Sequence, residues 1–122
     1  MATIVDIDDT LLRNGTQPIR RVIDYVNALP GAIIIVTGRP NSTRSETVKA
    51  LRAAGVKYSR LIMNPYSTRE SNKHKGEVAR RLKSTVTLAI DNDEGARAAY
   101  RREGIETKDP ATLPDMKKFW QI

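Results

Sequence analysis

The 122-residue chain has no cysteine, which excludes disulfides and thiolate metal sites and fits a reducing compartment. Aromatic residues make up only 5% of it. The one sizeable pair, Phe119-Trp120, reads as a core anchor, because large aromatics usually bury. There is one histidine, His74, set between two lysines in a polar stretch. It reads as a surface residue with no catalytic part. No apolar run approaches a membrane span, and the amino terminus lacks a basic n-region, so a cytoplasmic protein is expected. Internal repeats, low-complexity tracts and linkers are also missing, which leaves one domain over residues 1–122. What remains is ordinary globular composition, 39% hydrophobic and 29% charged, with one bias. A formal charge of +7 and a pI near 10.0 draw phosphate-rich partners to the whole surface.

The most informative stretch is Thr3-Ile4-Val5-Asp6-Ile7-Asp8-Asp9-Thr10, a β-branched apolar run that ends in three carboxylates and a hydroxyl. It reads as a buried strand delivering acid at its carboxyl end. Carboxylates this close repel one another, so a cation among them, or a retained proton, is needed near neutral pH. Mg²⁺ suits oxygen ligands and keeps waters that a phosphate can replace. Extended alternation would put Asp6, Asp8 and Thr10 on one face and Asp9 on the other, a D-x-D-x-T pattern. The bland alternative is an acidic turn capping the next helix.

Beyond it, strand and helix patterns alternate. A short connection, Leu11 to Gln17, leads to Pro18 at the first turn of a helix that carries Val22, Ile23 and Val26. A strand from Ala32 to Val36 ends in Thr37-Gly38-Arg39, and Thr43 with Glu46 offers a capping box for the following helix. A third strand, Val56 to Met63, precedes a basic loop from Asn64 to His74 and a helix from about Lys75 to Leu82. Val86 to Ile90 is a fourth strand, tipped by Asp91-Asn92-Asp93. An alanine-rich helix, a weak fifth strand at Ile105–Lys108 and a closing helix over Leu113–Ile122 complete the chain. The pattern predicts an α/β domain with about five parallel strands and helices on both faces. In such sheets ligands bind beyond the carboxyl ends of the strands. Acids and hydroxyls at three tips therefore converge on one pocket.

In this order, the D-x-D-x-T strand, the strand ending in Thr37, a lysine opening a helix and the strand ending in acids resemble the four motifs of the haloacid dehalogenase (HAD) superfamily. Val36-Thr37-Gly38-Arg39 and Thr87-Leu88-Ala89-Ile90-Asp91, with Tyr100-Arg101-Arg102 and Gly104-Ile105-Glu106 beyond, look like the 3'-phosphatase domain of phage polynucleotide kinase-phosphatases. The resemblance implies a Rossmann-like HAD fold and a Mg²⁺-dependent phosphomonoesterase. Asp6 would form an aspartyl-phosphate, and Asp8 would act as general acid and then base while its backbone carbonyl binds the metal. Asp91 would complete the metal shell. Thr37 and the Gly38 N–H would hold phosphoryl oxygens, Thr10 would orient Asp8 or the loop, and Asn92 and Asp93 would support the site. Lys75, chosen over Lys73 because it lies three residues before Val78, would neutralise nucleophile and phosphate. Where the polynucleotide phosphatases carry paired aspartates, this chain has Asp91-Asn92.

Neither connection where the superfamily inserts a cap domain is long enough to fold into one, so the site is expected to stay open to a large substrate. Charge favours a DNA or RNA end over a phosphoprotein, with Arg39, Arg44, Arg69 and Lys73 as candidate contacts and a separate kinase or ligase as a functional partner. Stacking support is thin, since Tyr66 is the only aromatic in those loops. The competing readings are a nucleotide or other small-molecule phosphatase and a non-catalytic nucleic-acid-binding module. Oligomeric state has no signature in the chain.

Overall fold

The computed structural model describes residues 1–116, so Phe119, Trp120 and most of the expected closing helix lie outside the described residues. The elements run β1 (Ala2–Val5), β2 (Leu12–Arg13), β3 (Gln17–Pro18), α1 (Arg20–Asn27), β4 (Ala32–Pro40), α2 (Arg44–Ala53), β5 (Arg60–Asn64), α3 (Ser71–Leu82), β6 (Val86–Ile90), α4 (Glu94–Arg102) and β7 (Glu106–Lys108). Five strands pair in parallel in the order β5-β4-β1-β6-β7. This is the Rossmann-like α/β domain that the alternation predicts. Strand β1 lies at its centre, Val5 opposite Ile35 on one side and Ile90 on the other, and all four of its residues are buried. A strand covered on both faces reads as a near-continuous apolar run, and in Ala2 to Val5 only the buried Thr3 carries a polar group.

Period-two alternation sorts the side chains into two cores. Ile33 and Ile35 pack with Val22, Ile23 and Val26 of α1 and with Ala50 and Leu51 of α2. Ile34 and Val36 pack on the opposite face with Val78 and Ala79 of α3 and with Ala96 and Tyr100 of α4. The chain winds outward from β1 through β4 to β5, and α3 then carries it back to β6 on the other side. Right-handed crossovers put the helices of the two halves on opposite faces. Strand order thus reverses between β1 and β6, where a crevice opens.

Four local expectations are corrected. The first strand ends at Val5, and Asp9 has a left-handed backbone (φ 59), so strict alternation does not extend through Thr10. Pro18 lies in β3, half of a small antiparallel hairpin with β2, and α1 starts at Arg20. The hairpin turns through Asn14 and Gly15, both at positive φ, a geometry that the Asn-Gly pair suits. Thr43 forms no capping box; its hydroxyl donates to the Pro40 carbonyl at 2.9 Å, and a single 3-10 turn precedes α2. Helix α3 begins at Ser71, so His74 and Lys75 fall one turn before Val78 and Ala79 on the same inward stripe. His74 is therefore buried, at 2% exposure, rather than on the surface.

Candidate active site

The pairing of β1 with β6 persists one step past the strand, where the Asp6 N–H donates to the Ile90 carbonyl at 3.0 Å. Asp6 and Asp91 consequently leave adjacent strand tips side by side. Between them stands the Lys75 ammonium, 2.9 Å from Asp6 Oδ1 and 2.6 Å from Asp91 Oδ2. All three side chains are almost wholly buried, at 5% exposure for Lys75, 6% for Asp6 and 1% for Asp91. Burial pushes the Asp6 carboxyl up to about 7, with the Lys75 ammonium pulling it down and the Asp91 carboxylate pushing it further up. For Lys75, burial lowers the pKa, but the two carboxylates outweigh it and raise the ammonium above its usual 10.5. Lys73, the other candidate, is exposed, 3.5 Å from Glu70 and stacked 4.5 Å from the centre of the Tyr66 ring.

After Val5 the backbone folds back on itself, with the N–H groups of Thr10, Leu11 and Leu12 all donating to the Ile7 carbonyl. This turn aims the Thr10 hydroxyl at Asp6 Oδ2, 3.0 Å away, so Thr10 orients Asp6 rather than Asp8. Asp8 instead reaches the rim, half exposed, and is gripped by Arg39 through both carboxylate oxygens at 3.0 and 2.8 Å. Arg39 also donates to Thr47 Oγ1 at 3.2 Å and the Gly15 carbonyl at 2.9 Å. It braces the acid instead of projecting freely toward a substrate. Arg44 is likewise engaged, donating to the Leu61 carbonyl at 3.2 Å.

The pocket measures about 390 Å³ and is lined by Asp6, Asp8, Asp9, Gly38, Arg69, Lys75 and Asp91 to Asp93, and also by Thr68, Ser71 and Asn72. Those last three, from the turn before α3 and its first residues, were missed in sequence, since that stretch reads as a loop. The first residues of α3 line the pocket, which places the positive end of its helix dipole there, a favourable end for an anion. Gly38 must be small: a Cβ there would lie 2.3 Å from Ser71 Oγ and 2.9 Å from Ser71 Cβ. Thr37 is fully buried behind it, its hydroxyl accepting from the Arg39 N–H at 3.0 Å. Asn64, also unrecognised in sequence, ties the rim together by donating to the carbonyls of Gly38 (3.1 Å) and Ser67 (2.9 Å). Its signal was its place at a strand tip, like Thr37.

Each Asp91 oxygen makes one contact, Oδ2 with Lys75 and Oδ1 accepting from the Asp93 N–H at 3.0 Å, and each keeps a second lone pair. Asp93 caps α4 by accepting from the Ala96 N–H at 2.9 Å. Asn92 reaches inward. With its amide nitrogen toward the pocket it donates to Asp6 Oδ2 at 2.9 Å and the Asp8 carbonyl at 3.0 Å. Turned over, the amide presents oxygen to the same two oxygens, a spacing that matches the edge of an octahedron about 2.9–3.0 Å long around Mg²⁺. Among the described residues no group of three acidic, His or Cys side chains forms a cage. A donor set of one carboxylate, one carbonyl and one amide fits a hard cation that keeps several waters.

No family model matches the chain, and no curated protein matches it in sequence. Solved structures do match, among them a chain in the structure of the Pnkp1/Rnl/Hen1 RNA repair complex, with a TM-score of 0.68 at 23% identity. The match covers 88% of this chain and 41% of that one, so this chain spans less than half the neighbour's length. The likeness establishes the fold. No described helix is long and apolar enough to cross a membrane.

Proposed function

We propose that the protein is a HAD-type, Mg²⁺-dependent phosphomonoesterase acting on polynucleotide ends, with a 3'-phosphate as substrate. The observation that carries this reading is the buried Lys75 ammonium joining Asp6 and Asp91 beneath an open pocket at the head of α3. A carboxylate so placed faces a phosphoryl group whose charge is met by a fixed cation and the positive end of the α3 dipole. Asp6 attacks phosphorus, the bond to the ester oxygen breaks, and Asp8 gives that oxygen its proton. Water then attacks the aspartyl-phosphate and Asp8 takes the water's proton; the Asp6–phosphorus bond breaks, inorganic phosphate leaves, and the Asp6 carboxylate and the acid form of Asp8 are restored. Mg²⁺, when held by Asp6, the Asp8 carbonyl and Asn92, would supply Lewis-acid stabilisation of the phosphoryl oxygens. Arg39 holds Asp8 at the rim, where a leaving oxygen would lie, and Arg69 is the exposed cation on the pocket wall. Polynucleotide ends are favoured by the open pocket, the net positive charge and the nucleic-acid context of the structural neighbour. A separate kinase or ligase would complete end repair.

The test is phosphate release from 3'- and 5'-phosphorylated oligonucleotides and from a mononucleotide, with Mg²⁺ or EDTA. Release from the 3' end, lost in EDTA and in Asp6→Asn, is expected. Release from mononucleotides alone would keep the Asp6 chemistry and overturn the substrate.

A further inference from the structure

A polynucleotide held by its end must leave the pocket over some part of the surface. Toward α2 the cations are taken, Arg39 by Asp8, Thr47 and Gly15, and Arg44 by Leu61. Toward the β2–β3 hairpin a hollow of about 170 Å³ shares Asp9 and Asn92 with the pocket, but Asp9 and Asp109 there repel phosphates. Of its two arginines, Arg21 is occupied by the carbonyls of Pro110 and Leu113 at 2.9 and 2.6 Å and Arg13 is exposed, so two cations face two carboxylates and the hollow has no positive excess.

The third direction differs. Asn72 lines both the pocket and a groove of about 280 Å³ between α3 and α4, whose walls carry Arg80, Arg102 and Lys73, the last in a solvent-exposed pair with Glu70 at 3.5 Å that a phosphate can replace. Arg102 is exposed and has no partner among the described residues. Of the groove's two carboxylates, Glu103 lies 3.5 Å from Lys83 and 3.9 Å from Arg80, while Glu77 accepts from the neutral Tyr66 hydroxyl at 2.6 Å and keeps its charge, so three cations face two carboxylates there. Arg80 itself remains 72% exposed, free to exchange Glu103 for a phosphate. The floor is Gly76 and Ala99, where a Cβ added at Gly76 would meet the Ala99 methyl at 3.7 Å. Small floor residues between cationic walls make a shallow track, about 12 Å long from Asn72 to Arg80 at helical rise.

We propose that this groove carries the strand of a single-stranded nucleic acid away from its phosphorylated end, with Lys73, Arg80 and Arg102 set against backbone phosphates. The proposal rests on the phosphatase reading above and gives its substrate a path. Backbone cations act through counterion release, so their signature is the salt dependence of binding.

The experiment is fluorescence anisotropy with 3'-phosphorylated single-stranded oligonucleotides of increasing length, in EDTA and across a salt series. It compares wild type with Arg80→Ala/Arg102→Ala and with Lys49→Ala/Arg52→Ala on the far helix α2, with melting curves to verify folding. The groove variant is expected to bind the longer oligonucleotides roughly threefold to tenfold more weakly, and its log–log salt slope to shrink by about 0.7 per arginine removed. The α2 variant should lose less. An unchanged slope in the groove variant beside normal oligonucleotide turnover would overturn the groove alone. Equal competition by polyglutamate of matched charge would overturn nucleic acid as its occupant. If wild type neither binds nor dephosphorylates any oligonucleotide, the substrate reading fails first and the groove with it.

Discussion

Two cation–carboxylate assemblies share one pocket and differ in almost every physical respect. Lys75 with Asp6 and Asp91 is sealed in the floor, whereas Arg39 with Asp8 sits on the rim, the Asp8 side chain 53% exposed. In the floor, water cannot compensate a lost partner, so each charge depends on the others. On the rim, solvent screens the pair and the arginine fork contributes orientation more than energy. A fixed electrostatic floor and an adjustable acid at the edge suit a reaction in which phosphate stays in place while a proton is given and then taken back.

The sharpest way to break the contrast is Lys75→Met, which leaves two buried carboxylates without a cation. It should cost about 3–5 kcal/mol in urea unfolding at neutral pH. Adding Asp91→Asn should recover part of that loss, while a rim pair treated in the same way would show little.

Next in size is the pH dependence of stability, where two buried groups pull in opposite directions. Asp6 titrates near 7 in the fold against 3.8 unfolded, so the folded state binds the extra proton between those values. Its contribution is present at low pH and is lost as pH rises through that window. Mg²⁺ should accordingly raise the melting temperature more at pH 8 than at pH 6. His74 runs the other way. Burial holds it below 6.5, the nearby Ile62 backbone pulling weakly upward short of a full hydrogen bond, and neither ring nitrogen has a partner among the described residues. The unfolded state binds more protons below 6.5, so stability falls as pH drops there. His74→Leu should flatten that acid limb and Asp6→Asn the neutral one, measured as unfolding free energy against pH.

A smaller effect is expected at Asn92. Asn92→Asp adds a charge where Asp6 and the Asp8 carbonyl converge and should tighten Mg²⁺ binding by about tenfold, while Asn92→Ala should weaken it by a similar factor, both read by calorimetry. Asp91→Asn should act chiefly through Lys75, as lost stability. Smallest in energy is Arg39→Lys, which replaces a fork with a point charge. Unfolding should change by less than about 1 kcal/mol. The rate of phosphate release should fall with little change in KM, since Asp8 is loosened and the phosphate cradle is not.

Much of the fold was legible because its cues are local. Apolar runs such as Ile33 to Val36 mark buried strands, and Pro30-Gly31 and Gly55 mark stops. The errors lie where a boundary depended on distant packing. Treating Asn64 to His74 as a loop hid the first turn of α3, and with it Ser71, Asn72 and the burial of His74. The Val78–Ala79 stripe, continued one turn back, would have pointed to His74 and Lys75 together.

The sequence by itself determined the alternating α/β order and the placing of acids and hydroxyls at strand tips, because strand and helix periodicities are written in neighbouring residues. Only the tertiary structure decided which groups meet there. Lys75 reaches Asp6 across 69 positions and Arg39 reaches Asp8 across 31, contacts that exist only once strand order places their elements together. The inward turn of Asn92 and the pairing of Asp91 with Lys75 follow in the same way from the geometry of adjacent strand ends rather than from residue type.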